Sequence, residues 1–517
     1  RLLREAGSAI QAIKPVFMMS PLSVAQFLEP GRLTFDLLVI DEASQIQPVD
    51  ALGAVARAKQ AVVVGDEKQL PPTSFFARLM SDDEAEIAET SEPAEATAAA
   101  AKDLESILSL CLARGISDKM LRWHYRSQHE SLIAVSNAEF YDGRLYIVPS
   151  PFHTVGELGL RFHWIENGRF DTGRTLRNVV EAAAVAKAVM QHARDHSAHT
   201  LGVGCMSVSQ RDAILDEVER LRREQPECEA FFHQHPNEPF FVKNLENIQG
   251  DERDVIFISV GYGPSSSDGR VYQRFGPLNS DGGHRRLNVL ISRARKRCEI
   301  FSSLKADDIR VDAQSKHGIV AFKNYLKYAQ TGQLGVAVAS DRPPGSPFET
   351  DVADELAARD WEVKCQIGVA GFFIDLAVVD RGQPGRYLLG IECDGATYHS
   401  GRSARDRDRL RQSILEGQGW QIHRIWSVDW FQNREREIQR LVEALEKAAS
   451  ILTEQGDGAQ RVEPEPASNV VAHAAAIPRR LMPVFETPSD SVGSVPYVKA
   501  SRAVPRGAIH ELSLIHI

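Results

Sequence analysis

"FDLLVIDEAS" (residues 35–44) is an unbroken apolar run that ends on two carboxylates, Asp41 and Glu42. A second run of the same kind, "QAVVVGDEKQLPP" (60–72), follows. Such runs read as parallel strands buried on both faces, with the working residues at their C-terminal ends, and they place the chain in the α/β class. At a strand tip Asp41 is suited to hold Mg²⁺ and Glu42 to polarise an attacking water. An acidic pair at a strand end serves equally well as a solvated loop, so the rest of the chain decides between the two.

With 517 residues, 43% hydrophobic and 25% charged, the chain has core enough for at least three globular domains and is neither disordered nor fibrous in composition. No apolar run reaches the roughly 18 residues of a membrane span, and "RLLREAGSAIQAIKP" has no signal-peptide architecture, so a soluble, cytoplasmic protein with no membrane partner is expected. Cysteines 111, 205, 228, 298, 365 and 393 form no CxxC pair, which argues against a disulfide framework and against a zinc site. A net charge of -10 excludes coating of nucleic acid through the overall field but leaves room for local basic grooves such as "RRLNVLISRARKR" (285–297). The first residue is Arg1 rather than Met, and "LSLIHI" (512–517) is what a transposon end used as a sequencing adapter encodes in one frame. Both ends are therefore expected to be artificial.

The composition shifts along the chain give domain boundaries. Residues 1–115 form a first α/β domain with an acidic, Ala-rich insertion at 81–101, and the helical pattern "KDLESILSLCLARG" closes on Gly115. A second α/β domain spans 116–310, with strands near "LGVGCMSV" (201–208) and "DVIFISVGYG" (254–263). Residues 311–346 read as a helical linker ending in "ASDRPPGSP" (339–347). A compact module follows at 347–448, its first helix carrying Phe348, Val352 and Leu356 on one face, and residues 449–517 read as a weakly structured tail.

Four further stretches decide the first half: "GDEKQLPPT" (65–73), "LRWHYRS" (121–127), "ENIQGDERDVIF" (246–257) and the basic run at 285–297. With "VIDEAS" they resemble motifs II to VI of the superfamily 1 helicases, in the branch that includes the nonsense-mediated-decay helicase. Any one of their arginines alone reads as a surface cation, but five motifs in order do not. The resemblance implies two RecA-like domains, the first truncated, with ATP and Mg²⁺ as cofactors and single-stranded nucleic acid in the motor. It assigns γ-phosphate sensing to Gln69, base stacking to Tyr125, γ-phosphate contact to Arg126 and a second arginine finger to Arg293. Gln249 and Gly250 fall near the nucleic-acid path and Glu252 near the nucleotide. It also implies 5′ to 3′ polarity. No G-x-x-x-x-G-K-[ST] occurs in the chain, so the parent protein is expected to be an ATPase while this chain alone binds ATP poorly.

In the second half, "LLGIECDGATYHS" (388–400) puts Glu392 and Asp394 on one face of a strand, which is costly unless a cation lies between them. If "FFIDLAVVD" (372–380) pairs with it, Asp375 joins Glu392 at one sheet edge, and Mg²⁺ is the simplest such cation. The order of helix with Glu349, strand with Asp375, strand with Glu392 and Asp394, helix, strand resembles the PD-(D/E)XK nucleases. Within them it is similar to the very-short-patch repair endonuclease type, which implies a restriction-endonuclease-like α/β domain with Asp394 at the lysine position and His399 as base. Arg405, Arg407, Arg409 and Arg411 are suited to backbone phosphates. The bland readings stand beside these: Asp375 as a hydrogen-bonded structural acid, His399 as a loop histidine, the arginines as a solvated face, and Trp420, Trp426 and Trp430 as packing. The expectation is an ATP-dependent DNA helicase or translocase coupled to a Mg²⁺-dependent endonuclease that acts on duplex DNA in repair or defence. Its rivals are an RNA-directed motor with a binding-only C-terminal domain and a catalytically silent nucleic-acid scaffold.

Overall fold

The computed structural model describes residues 2–72, 106–152, 158–173, 175–332, 343–369, 372–382, 385–395 and 402–457. The insertion at 81–101, His399 and the tail from 458 lie outside them. The chain divides into two compact units, Arg1–Leu145 with Glu157–Val338, and Tyr146–Gly156 with Ala339–Ile517.

In the first unit, β1 (Phe35–Ile40) and β2 (Ala58–Val63) pair in parallel, Ile40 opposite Val63. Their burial corrects the reading of strands covered on both faces: Ile40 is buried, but Leu37 and Val62 are 39% and 48% exposed. Among the described residues these two strands pair only with each other, and Ile40, Leu38 and Val63 pack in a small cluster with Ala43, Ala51 and Ile107. The helix Ile107–Ala113 starts on Ser106, whose hydroxyl and that of Ser109 cap each other's backbone amides, and it ends before the left-handed Gly115. Trp123–His124 form the short β3.

The larger sheet of this unit has five parallel strands in the order β5 (Gly159–Trp164), β9 (Ala294–Ser302), β8 (Arg253–Ser259), β6 (Leu201–Cys205), β7 (Phe241–Asn244). β6 is buried at every position and β8 at nearly every one, as strands covered on both faces require. Helices Val179–Asp195 and Val208–Glu224 pack with β6 in one core cluster, and helix Gly283–Ile291 with β8 and β9 in another. This is the parallel, two-sided core expected of a RecA-like domain. The helix His317–Thr331, read as part of a linker, belongs to the same core: Phe322, Tyr325 and Leu326 are at most 2% exposed, against Phe275, Leu278 and Leu290.

The second unit holds a mixed sheet in the order β13 (Ile422–Trp426), β12 (Tyr387–Asp394), β11 (Phe372–Val379), β10 (Val363–Val369), β4 (Tyr146–Ile147). All its neighbours are antiparallel except β12 and β13. Phe348, Val352 and Leu356 of helix Pro347–Ala357 and Leu441 and Leu445 of helix Arg434–Asp457 close one core with Ile391 and Trp430. Leu415 and Trp420 close another with Ile374 and Tyr387. A Cβ on Gly390 would lie 2.8 Å from Ile422 and 3.1 Å from Trp420, so only glycine lets that indole reach the sheet. The helix expected to end near 448 continues to Asp457, so residues 449–457, read as tail, are helical.

Candidate functional site

The motor motifs gather within the first unit. Asp41 follows β1 and accepts the Glu42 amide at 2.9 Å. Glu42 itself is left-handed, at φ 51 and ψ 38, and its carboxylate accepts from Gln45 at 2.8 Å. A non-glycine residue in that region costs about 1–2 kcal/mol, a strain that recurs where a side chain must be aimed. Gln69 donates to Asp66 at 3.0 Å, and Asp66 also accepts the Tyr141 hydroxyl at 2.6 Å. Asn288, on the helix that precedes Arg293, donates to both the Lys68 carbonyl (2.9 Å) and the Tyr141 hydroxyl (3.0 Å). The "GDEKQ" turn is thereby tied to "RRLNVLISR" through Tyr141, a residue outside every motif.

Arg126 meets Glu252 at 2.6 Å across 126 residues of sequence. Arg293 is 3% exposed and gives its Nε to the Val289 carbonyl at 2.7 Å. Burial, and then the Arg126 charge, lower its pKa to about 10, while Glu252 and Glu42 favour its charged form. Glu42, Arg126, Glu252 and Arg293 therefore share one field, the arrangement that charge-stabilised phosphoryl transfer needs. Gly250 turns at φ 81, and the buried Gln249 carboxamide nitrogen has no hydrogen-bond partner among the described residues. Tyr125 is 57% exposed, as a base-stacking ring requires. Beside Gly250 and Glu252 opens a cleft of about 390 Å³, also lined by Glu238, Phe241, Lys243 and Arg253. Only its motif residues were legible in the sequence.

In the second unit β11 and β12 pair with Leu376 opposite Ile391, so Asp375 faces Glu392 across the ladder. The Cys393 amide donates to Asp375 at 2.8 Å. Burial pushes Asp375 up to about 6; the Cys393 amide opposes this, Glu349 and Asp394 add to it, and Arg411 works against it. Glu392, 6% exposed, is pushed up to about 7 by burial, with Arg411 opposing and Asp375 reinforcing. Arg411 lies 3.1 Å from Glu392, and Arg424 of β13 lies 3.1 Å from Asp394. In this structure, therefore, the cations between the strand-tip carboxylates are arginines.

Glu349 adds a fourth acid to this field. It is buried at the start of its helix, where its carboxylate accepts from the Gly345 amide (2.6 Å), the Ser346 hydroxyl (3.0 Å) and the Gln366 carboxamide (2.8 Å). Gln366 sits in β10 with φ 51, a left-handed residue inside a strand. Neither Gly nor Asn stands there to announce that conformation. Helix Arg402–Gly417 carries the four arginines singled out above, and Arg411 on it contacts Glu392.

The chemistry of the donors suits a hard divalent cation: oxygen ligands, two acids facing each other on adjacent strands, and burial that raises the pKa of both Asp375 and Glu392. Among the described residues, however, no three Asp, Glu, His or Cys side chains are drawn together as a metal ion would draw them. Trp420 and Trp430 are buried, as packing residues should be, and Trp426 is 36% exposed, paired with Asp394 in the β12–β13 register.

Residues 22–76 and 104–305 match two AAA-domain family models, AAA_11 and AAA_12, and residues 348–445 match the restriction-endonuclease family model REase_MTES_1575. The chain is 26% identical over 446 residues to the "uncharacterized ATP-dependent helicase MG140 homolog" of Mycoplasma pneumoniae, covering 83% of this chain and 38% of that protein. It is 28% identical over 445 residues to the corresponding Mycoplasma genitalium protein, covering 81% and 38%. The "DNA replication ATP-dependent helicase/nuclease dna2" of Schizosaccharomyces pombe is 26% identical over 311 residues, 53% of this chain and 19% of that protein. The chain thus spans well under half the length of these relatives. It carries helicase-type AAA domains of the superfamily 1 kind followed by a restriction-endonuclease-like domain, and it is homologous to ATP-dependent helicases.

Proposed function

We propose that this chain serves a cytoplasmic DNA motor coupled to a Mg²⁺-dependent endonuclease of the PD-(D/E)XK type, in DNA repair or defence against foreign DNA. The observation that carries the nuclease half is the juxtaposition of the half-buried Asp375 and the buried Glu392, two carboxylates on adjacent strands that raise each other's pKa. Structural acids are ordinarily neutralised one by one; a facing pair in a sheet of this family is economical only as a cation site.

Asp375 and Glu392 would hold the ion, which when bound polarises a phosphodiester and makes a coordinated water more acidic. The chain's own groups do the rest. The Cys393 amide fixes the Asp375 carboxylate, Gln366 and Ser346 fix Glu349 beside it, and Arg424 pairs with Asp394 at the strand tip. His399, in the sequence position of a base, would take the proton of the attacking water. In the motor half Arg126 and Arg293 would face the γ-phosphate of ATP, Gln69 would report its presence to Asp66 and Tyr141, and single-stranded DNA would run past Tyr125 and Gln249. Asp41 would hold the Mg²⁺ of the nucleotide.

Nicking of supercoiled plasmid by the full chain in Mg²⁺, compared with Asp375→Ala and His399→Ala, tests the nuclease half. Loss of nicking in both variants is expected. Equal nicking by Asp375→Ala and the parent would place the activity elsewhere and overturn the assignment.

A further inference from the structure

We propose that Arg411 is a built-in counter-ion that occupies the cation's place between the nuclease carboxylates and has to be displaced before a divalent ion can enter. The inference rests on the reading of Asp375 and Glu392 as that ion's ligands.

The guanidinium of Arg411 is held from three directions. It donates to the Phe373 carbonyl and to Glu392 Oε1, and it lies 4.6 Å from the centre of the Phe372 ring. Phe372 and Phe373 belong to the strand that carries Asp375, and Glu392 to its neighbour, so Arg411 bridges the two strands whose carboxylates face each other. Its charge reaches both acids and opposes the effect of burial on each. Arginine suits this task better than lysine. Its charge is spread over a weakly hydrated plane that tolerates partial burial, stacks on an aromatic face and fits a carboxylate edge. The side chain is 32% exposed against 8% for Glu392, so the carboxylate is enclosed while the arginine still has a way out.

A divalent ion and Arg411 compete for the same Glu392 oxygen. A ligand shifts an equilibrium only by its differential affinity for the two states, so whatever the Arg411–Glu392 pair contributes is subtracted from metal affinity. When the ion enters, Arg411 remains tethered on its helix beside a site that now attracts a phosphate, the anion a freed guanidinium binds best. The arginine therefore restrains the empty site and assists the loaded one. Metal affinity and turnover should move in opposite directions when it is removed.

The test is Mn²⁺ binding to the full chain at pH 8, followed by the electron paramagnetic resonance signal of free Mn²⁺. It compares the parent with Arg411→Met, Arg411→Gln and Arg411→Lys, and each variant is checked for parental circular dichroism. Loss of one positive charge this close to the ion should tighten Mn²⁺ binding by about tenfold or more in the Met and Gln variants, and change it little in the Lys variant. Plasmid nicking at saturating Mn²⁺ should fall in the same two. Equal or weaker Mn²⁺ binding by whichever of the Met and Gln variants folds would overturn the counter-ion role. Glu392→Gln should abolish the binding; if it binds Mn²⁺ like the parent, the ligand assignment itself fails, and the two failures are told apart.

Discussion

Replacing Glu392 by Gln should stabilise the metal-free protein while abolishing its cation site. Burial holds the Glu392 carboxyl up to about 7 against 4.5 in an exposed peptide. At about 1.4 kcal/mol for each pH unit of that difference, ionising it in place costs about 3 kcal/mol once the pH is well above 7. The folded state holds a proton that the unfolded chain sheds from about pH 4.5 upward, so the group's contribution is fully present below that pH and is lost as the pH rises through about 7. Asp375, pushed up to about 6, changes in the same direction over a lower window. A glutamine has the shape of the protonated acid and never ionises. Glu392→Gln should therefore gain about 3 kcal/mol over the parent at pH 8 and under about 1 kcal/mol at pH 5. Urea unfolding in EDTA, followed by tryptophan fluorescence, reads this out, because Trp361, Trp420, Trp426 and Trp430 of the chain's 6 tryptophans lie in the second unit. A gain that is the same at both pH values, or a loss at pH 8, would refute the argument that Glu392 is a destabilising charge retained for a cation.

Tyr141→Phe removes the hydroxyl that joins Asp66 to Asn288; a loss of about 1–2 kcal/mol in the unfolding of the first unit is expected, measured by urea titration with circular dichroism. Gln366→Gly relieves a left-handed residue worth about 1 kcal/mol but deletes a donor to Glu349. Its melting temperature should thus stay close to the parent's while Mg²⁺-dependent nicking drops, and a parental nicking rate would remove Gln366 from the site. Trp420→Phe leaves the Pro149 carbonyl without its 2.8 Å donor; thermal melting should show the second unit about 1–3 kcal/mol less stable.

Much of this arrangement was legible because motifs are local. The two apolar runs, each with an embedded acid, allow a pairing of β11 with β12 that the structure contains, and the face shared by Phe348, Val352 and Leu356 follows from their helical spacing. What the sequence hid was relational. Alternation and apolar runs place a residue on a strand, but they do not say how many neighbours the strand has, and β1 and β2 proved half-exposed for that reason. The position of helix His317–Thr331 between domains suggests a connector, although Phe322, Tyr325 and Leu326 carry the spacing of a buried face. Arg411 is one of four arginines on a charged helix, and nothing in the string announces its contacts with Phe372 and Glu392, which depend on the register of that helix against the sheet. Gln366 gave no warning either, since a left-handed residue is announced in sequence by Gly or Asn.

The membership of Tyr146–Gly156 in the second unit has a consequence for how the molecule is made. This short segment supplies the Ile147 partner of Val369, the Pro151 carbonyl that receives the Tyr387 amide, and the Pro149 carbonyl that receives Trp420 from 271 residues away. On the ribosome it emerges long before any of its partners, and it has to wait while the rest of the first unit is synthesised around it. Closing such distant contacts is the slow kind of folding step, and it ties completion of the second unit to residues 369–420, made much later. It also defines how the protein can be dissected: a fragment cut at the apparent linker would lack one strand and two carbonyl acceptors. A self-sufficient second unit is better sought by grafting residues 146–156 onto it through a short loop.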